Sequence, residues 1–336
     1  MANRGILVGT VISSAGVATF LACVGEDPSG TSPTPEIDGS TSADGSSTTG
    51  ETDSGTDSAN VSDGGRCDPT KPFGARKPLD GINIGNERNQ GARLADGEKM
   101  VYFSSFQRDG GIGSYDTWVA MRPSPNDPFD DALLLNGGND AEDERFPTVT
   151  ADGLTLYTMY FPGGNWDIYR ATRNSVNEPF PKTTNVAEVS MSPANDHYPY
   201  VLPNGSALYF DSDRSNEVEI YRASVVGGVV QDPVLVQGIS ASGKNASAPW
   251  VSADELTMYF ASSRSGGQGG HDIYVTRRAS TASVFGTPVL VPELSTSGDD
   301  LPNWFSEDGC VAVWSTNVGL DGGNIGAKVY ISERRK

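Results

Sequence analysis

Only two histidines, His197 and His271, occur in the 336-residue chain, so acid–base chemistry near neutral pH must rest mainly on carboxylates. Many of these acidic residues fall at one recurring position. Gly91, Pro147, Pro199, Pro249 and Asn303 each stand five residues before a turn residue. Three and four residues ahead of them lie Glu87/Arg88, Asp143/Glu144, Asn195/Asp196, Asn245/Ala246 and Asp299/Asp300. Equivalent positions gathered at one mouth would make Glu87, Asp143, Glu144, Asp196, Asp299 and Asp300 a tentative ligand-binding ring, with His197 beside it as proton carrier. Such a ring can hold a cation or a cationic ligand, or supply an acid–base pair. The competing reading is loop polarity that caps strands and keeps one face soluble.

No motif assigns a catalytic residue, a metal or a cofactor. The chain has no His-Glu-x-x-His helix, no Cys/His metal spacing, no phosphate loop and no complete nucleophile elbow. Gly238-Ile-Ser240-Ala-Ser242 misses the elbow at its last position. Asp211-Ser-Asp213-Arg-Ser215 opens like a calcium loop, but Asn216 and Arg222 stand where Gly and Glu are needed.

The elements that would carry the ring follow from a repeat. Asp96-Gly97, Asp152-Gly153, Asn204-Gly205, Asp254-Glu255 and Asp308-Gly309 mark turns spaced by 56, 52, 50 and 54 residues. Asp-Gly and Asn-Gly supply the positive φ angles of tight hairpins; Glu255 departs from this and should strain its turn or change its type. An aromatic strand follows each turn, as at Tyr102-Phe103 and Tyr259-Phe260, and then a triplet: Asp116-Thr117-Trp118, Asp167-Ile168-Tyr169, Glu219-Ile220-Tyr221, Asp272-Ile273-Tyr274 and Lys328-Val329-Tyr330. β-rich runs bounded by Gly, Asn and Asp, at a period of about 50 residues, predict four-stranded propeller blades. The fourth unit reads as strands near Ala248–Ser252, Leu256–Ser262, Asp272–Arg277 and Val284–Val291.

The fifth unit stops too early for its outer strand. Pro72-Phe73-Gly74-Ala-Arg-Lys-Pro78-Leu79, upstream of the first unit, matches Val284-Phe285-Gly286-Thr-Pro288-Val-Leu290. A ring must close, and joining both chain ends in one blade removes an open edge. The expected fold is all-β: a five-bladed β-propeller of four-stranded antiparallel blades over residues 67–336, closed by an N-terminal strand at Phe73–Leu79.

The Asp-Gly turn, the Tyr-Phe strand, Ser-x-x-Arg or Ser-x-Arg and Asp-Ile-Tyr resemble the WD-like repeats of TolB-type propellers in the bacterial envelope, over about Pro72–Lys336. The resemblance implies a propeller fold. It does not choose among binding proteins, envelope lipoproteins and peptidase-associated domains.

Residues 1–66 differ in kind. Arg4 precedes a charge-free stretch from Gly5 to Ala22, and Phe20-Leu21-Ala22-Cys23 resembles a lipobox, which would make 1–23 a signal peptide and Cys23 the lipidated residue. Ordinary secretion and an uncleaved anchor helix are the alternatives. Residues 24–66 read as a disordered linker: 29 of the 40 residues Glu26–Gly65 are Ser, Thr, Gly or Asp. The formal charge of −19 argues against nucleic acid and anionic membranes as partners, leaving a lipid anchor as the only membrane contact.

Two structural devices are expected. Arg108, Arg214 and Arg264 recur after the second strand and should pair with Asp116, Glu219 and Asp272. Cys310 opens the second strand of the fifth unit, and Cys67 lies where the closing strand enters that blade. In an exported chain these two thiols should form a disulfide. The function this supports is a non-catalytic propeller that binds an envelope protein, peptide or glycan; the runner-up is a five-bladed glycosidase-like hydrolase using the acidic ring.

Overall fold

The computed structural model describes residues 66–85, 87–240 and 243–336. The expectations for a signal peptide, for lipidation at Cys23 and for a linker up to residue 65 lie outside the described residues. The described chain is almost wholly β, with one short 3-10 turn at Pro292–Leu294. Its small antiparallel sheets stand in a ring, a five-bladed β-propeller.

First strands run Arg88–Ala95, Asp143–Val149, Asp196–Val201, Ala246–Val251 and Asp300–Phe305, and they contact one another around the axis. Each is bulged near its middle, and Phe146, Tyr198 and Ala248 take left-handed backbone there (φ 54°, 50° and 50°). A bulge adds twist and re-aims side chains, which suits a strand at a crowded axis. Second and third strands follow, as at Thr257–Ser262 and Asp272–Arg277. The hairpin turns between first and second strands lie at one end of the blades, here the turn face. The loops from second to third strand and from blade to blade lie at the other, the loop face.

Most volume is filled between blades by side chains from the second and third strands. Phe103, Tyr209, Phe210, Phe260, Ile273 and Trp314 are buried there. Burying such residues fully gives about 1.5–3 kcal/mol apiece, so stability is spread around the ring rather than held in one centre.

The ring closes as the sequence implies. Lys77 and Pro78 pair antiparallel with Ile331 and Tyr330. The Gly74 N–H donates to the Glu333 carbonyl (2.8 Å), as the Gly286 N–H donates to Arg277 in blade four (2.9 Å). Arg334 covers the Phe73 ring at 3.9 Å, as Arg278 covers Phe285 at 4.5 Å. The N-terminal segment thus repeats the outer segment of an ordinary blade, residue for residue. Cys67 and Cys310 are disulfide-bonded across the same seam, with Cα atoms 5.6 Å apart.

Three details differ from the sequence reading. The regular part of an outer strand is two residues long, as at Val289–Leu290, because the phenylalanine ahead of it packs under arginine instead of extending the ladder. Blade three carries an extra pairing at Val229–Val230 beside its outer strand Val234–Leu235.

The third difference concerns the recurring arginines, which do not pair with the triplet acids. Arg108 pairs with Glu87 and Arg214 with Asp196, while Arg264 donates to the Ile239 carbonyl. Each also lies over two aromatic rings of its own blade, such as Phe210 and Tyr221. Asp116 and Asp272 instead accept backbone N–H groups of Ile112 and Gly113, and of Gln268 and Gly269. Those loops fold back onto the start of the third strand, and their unpaired amides reach the acid before any guanidinium does.

Glu255 explains its own irregularity. It keeps a left-handed backbone (φ 59°) in a turn position that glycine fills elsewhere. Its carboxylate accepts from the Tyr209 hydroxyl and from Arg222 (2.6 and 3.1 Å), tying blade four to blade three. A cross-blade ion pair offsets the strain of about 1 kcal/mol or more that such a backbone carries.

Candidate functional site

The acidic positions ahead of each bulge do come to one end of the ring, the loop face. Nearly all are bound into seams. Asp196 is fully buried, pairs with Arg214 at 2.6 Å and accepts the Met191 N–H at 3.0 Å. Asp300, also fully buried, accepts from the backbone and hydroxyl of Thr296. Burial pushes its carboxyl up to about 6, although these hydrogen bonds pull the other way. Asp143 accepts the Tyr115 N–H from blade one (3.1 Å) and pairs with Arg145. Glu87 is held by Arg108 at 2.9 Å. Asp299 meets His271 of the preceding blade at 2.9 Å and accepts from the Asn317 side-chain amide at 3.3 Å, while its own backbone N–H donates to Asn317 Oδ1 at 3.0 Å.

Glu144 is the exception in protonation. Its Oε1 accepts the Asp140 N–H at 3.2 Å, while Oε2 has no partner and is buried. Burial first, then the hydrogen bond and charge of Asp140, push its carboxyl up to about 10, so it is uncharged at neutral pH. Among the described residues, no group of three or more His, Cys, Asp or Glu side chains is placed to hold a metal ion.

One or two residues further along the first strands, a different cluster stands at the mouth. Blade two gives Arg145 and blade three gives His197 and Tyr198; the end of the second strand of blade two gives Phe161, and the loop that follows gives Trp166. Phe161, Trp166, His197, Tyr198 and Arg145 are each partly exposed. The Arg145 guanidinium lies 3.8 Å from the Tyr115 ring centre and 4.9 Å from that of Trp166, and its Nε–H has no partner. Trp166 sits 6.2 Å from His197 and 5.0 Å from Phe161.

His197 is oriented by Asp211, whose Oδ1 is 3.2 Å from the imidazole Nδ1 and whose Oδ2 accepts the Ala248 N–H of blade four. Burial works against the imidazolium, but the Asp211 hydrogen bond and the charges of Asp211, Asp213 and Asp196 outweigh it, so His197 titrates above its ordinary value. The result is a guanidinium and a readily protonated imidazole flanking an indole face. Arrangements of this kind hold flat rings by stacking and carboxylate or hydroxyl oxygens by charge-assisted hydrogen bonds.

Of this cluster the sequence reading singled out only His197. It missed Arg145, Phe161, Trp166 and Tyr198 because it searched for what the repeats share. The same two strand positions carry Asn89-Gln90, Ser247-Ala248 and Leu301-Pro302 in the other blades. Divergence from the repeat, not adherence to it, was the available signal.

No protein-family model matches the chain, and no curated protein matches it in sequence. Solved structures do resemble it. A thermostable family-43 glycoside hydrolase is 18% identical, with 77% of this chain and 92% of that chain covered and a TM-score of 0.51. Bacteroides ovatus xyloglucan PUL GH43B is 14% identical over 76% of this chain and 53% of that one, at a TM-score of 0.50. TolB from Acinetobacter baumannii is 16% identical over 75% of this chain at a TM-score of 0.45; the chain spans about half of that protein's length (55%). At these identities the likeness extends to the fold alone, a β-propeller.

Proposed function

We propose that the protein is a non-catalytic binding propeller, held at a bacterial cell envelope by its N-terminal segment, and that it takes a peptide or glycan segment at the loop-face mouth. The observation that carries this reading is the division of labour there. Glu87, Asp143, Asp196, Asp299 and Asp300 are occupied by cross-blade and loop hydrogen bonds. Trp166, Arg145, His197 and Tyr198 are partly exposed beside them; Glu87, Asp143 and Asp299 also reach the surface, but with carboxylates already engaged by Arg108, Arg145 and His271. A stacking platform between a guanidinium and an imidazole binds without needing a nucleophile.

The hydrolase reading rests on one feature. Glu144 is kept protonated beside Asp140, and a pair of carboxyl groups pushed apart in acidity is what a glycosidase needs. Against it, Glu144 is 1% exposed and its free oxygen is enclosed, so no sugar reaches it. A glycan and peptide array probed with the full-length protein tests the proposal. Retention of one ligand class, recovered chemically unchanged, is the expected result; release of shortened sugars or peptides would support hydrolysis instead.

A further inference from the structure

The turn-face end of the axis holds a second feature that neither the fold nor the loop-face cluster uses. A cavity of about 370 Å³ opens there, walled by first strands of blades one, two, three and five: Leu94, Thr148, Val149, Val201 and Trp304 among others. Its volume lies within the range of small-ligand pockets. Arg93 lines it and is 5% exposed.

The guanidinium of Arg93 reaches across the axis. One terminal nitrogen donates to the Asn303 carbonyl of blade five and the other to the Pro199 carbonyl of blade three (3.3 Å), while the Tyr200 ring lies 4.8 Å away. The Nε–H has no hydrogen-bond partner and is enclosed, so a ligand would meet the second N–H of a terminal nitrogen, each of which gives one N–H to a carbonyl. Among the described residues no carboxylate forms an ion pair with Arg93, although the protein is strongly acidic. The one acidic side chain on the cavity wall, Asp96, is exposed at the turn.

A buried cation without a counter-charge is costly, and its burial pushes the Arg93 pKa down to about 10. The recurring arginines differ: Arg108 and Arg214 have a carboxylate, and Arg264 has a backbone carbonyl at the loop face. Arg93 joins a buried guanidinium without a carboxylate to an adjoining cavity.

We infer that the turn-face cavity is a binding site for a carboxylate carried on an apolar body. The acid would meet the guanidinium in a low-dielectric recess, where a charge-assisted hydrogen bond is strong. Leu94, Val149, Val201 and Trp304 would cover the apolar part. Two carbonyls from other blades already fix the guanidinium, so binding orders little that is not ordered beforehand. A free aromatic acid and the C-terminus of a peptide share this chemistry.

The test is titration calorimetry on the full-length protein, supported by Trp fluorescence because Trp304 lines the cavity. The probes are 3-phenylpropionate and N-acetyl-Ala-Phe with a free carboxylate, each against its neutral amide. Saturable binding is expected, with at least one acid held about tenfold or more tighter than its amide, a typical margin for a charge-assisted bond. Preference for the dipeptide would identify a peptide terminus as the source, and preference for phenylpropionate a free acid. Ala151→Trp places bulk at the cavity wall without touching Arg93 and should abolish binding while the protein stays folded. Absence of saturable binding, equal affinity for acids and amides, or unchanged binding by Ala151→Trp would each overturn the inference.

Discussion

The two mouths of the axis use charge in opposite ways. At the loop face, acidic residues recur from blade to blade and are satisfied by arginines, hydroxyls and backbone amides of neighbouring segments. At the turn face, Arg93 occurs in one blade, spans to two others and meets no carboxylate. The loop-face cluster of Arg145, Trp166 and His197 is likewise confined to blades two and three. Residues that recur around the ring close seams, because every seam poses the same problem. Residues that break the repeat are free of that duty, and it is these that we propose meet a ligand.

The contrast is broken most severely at a seam. Removing Cys310 as Cys310→Ser, or starting the chain after the closing segment, should cost the most. Loss of the disulfide over 243 residues takes away about 2–5 kcal/mol. Loss of the whole Phe73–Pro78 segment also exposes the edge of the last blade, so a chain beginning at Gly85 should aggregate or melt earlier. Denaturant unfolding under oxidising and reducing conditions measures the first effect; a truncated chain as stable as the full one would show that closure contributes nothing.

A smaller effect sharpens the comparison within the ring itself. Glu144 is neutral in the folded protein but would ionise in the unfolded chain at neutral pH. Its folded pKa is raised, so its favourable contribution is complete below the unfolded value of about 4.3 and is lost progressively as pH rises toward about 10. Glu144→Gln places an amide where the protonated acid stands. Its melting temperature should exceed that of the parent by several degrees at pH 8, roughly 2–8 °C per kcal/mol, and the gap should close near pH 4. An identical pH dependence for both proteins would show that Glu144 does not carry that proton.

His197 should produce the smallest effect. Its folded pKa is raised by Asp211, so the stabilisation is present below about 6.5 and fades as pH climbs through the folded value. His197→Gln should flatten stability above about pH 6.5 by a fraction of a kcal/mol, since the imidazole is partly exposed. NMR titration of the imidazole gives the pKa directly; a value at or below the ordinary one would remove the Asp211 pairing from the account.

How much of this was legible in the sequence follows from the same contrast. The turn dipeptides and the Phe73-Gly74 echo of Phe285-Gly286 are local signals repeated in register, so blade count and closure could be read before any coordinates. The placement of Cys67 and Cys310 followed from that topology. Partner choice did not. Arg214 passes over its own triplet acid Glu219 to reach Asp196, because the first strand pairs Asp196 opposite Ser212, at the end of the second strand. Sequence spacing carries no trace of that approach. Arg93 is harder still: its partners lie 106 and 210 residues away across the axis, and only closure of the ring makes them neighbours.

The most direct test of the central claim is a crossed measurement on Asp196→Ala and Trp166→Ala, recording unfolding free energy and affinity for a ligand found on the arrays. Asp196→Ala leaves Arg214 buried without its partner and should cost about 3–5 kcal/mol of stability while the folded protein still binds. Trp166→Ala should leave stability within about 1 kcal/mol of the parent and weaken binding by about tenfold or more. The reverse pattern, with Asp196→Ala abolishing binding at unchanged stability and Trp166→Ala binding normally, would contradict the account and return the ligand site to the acidic ring.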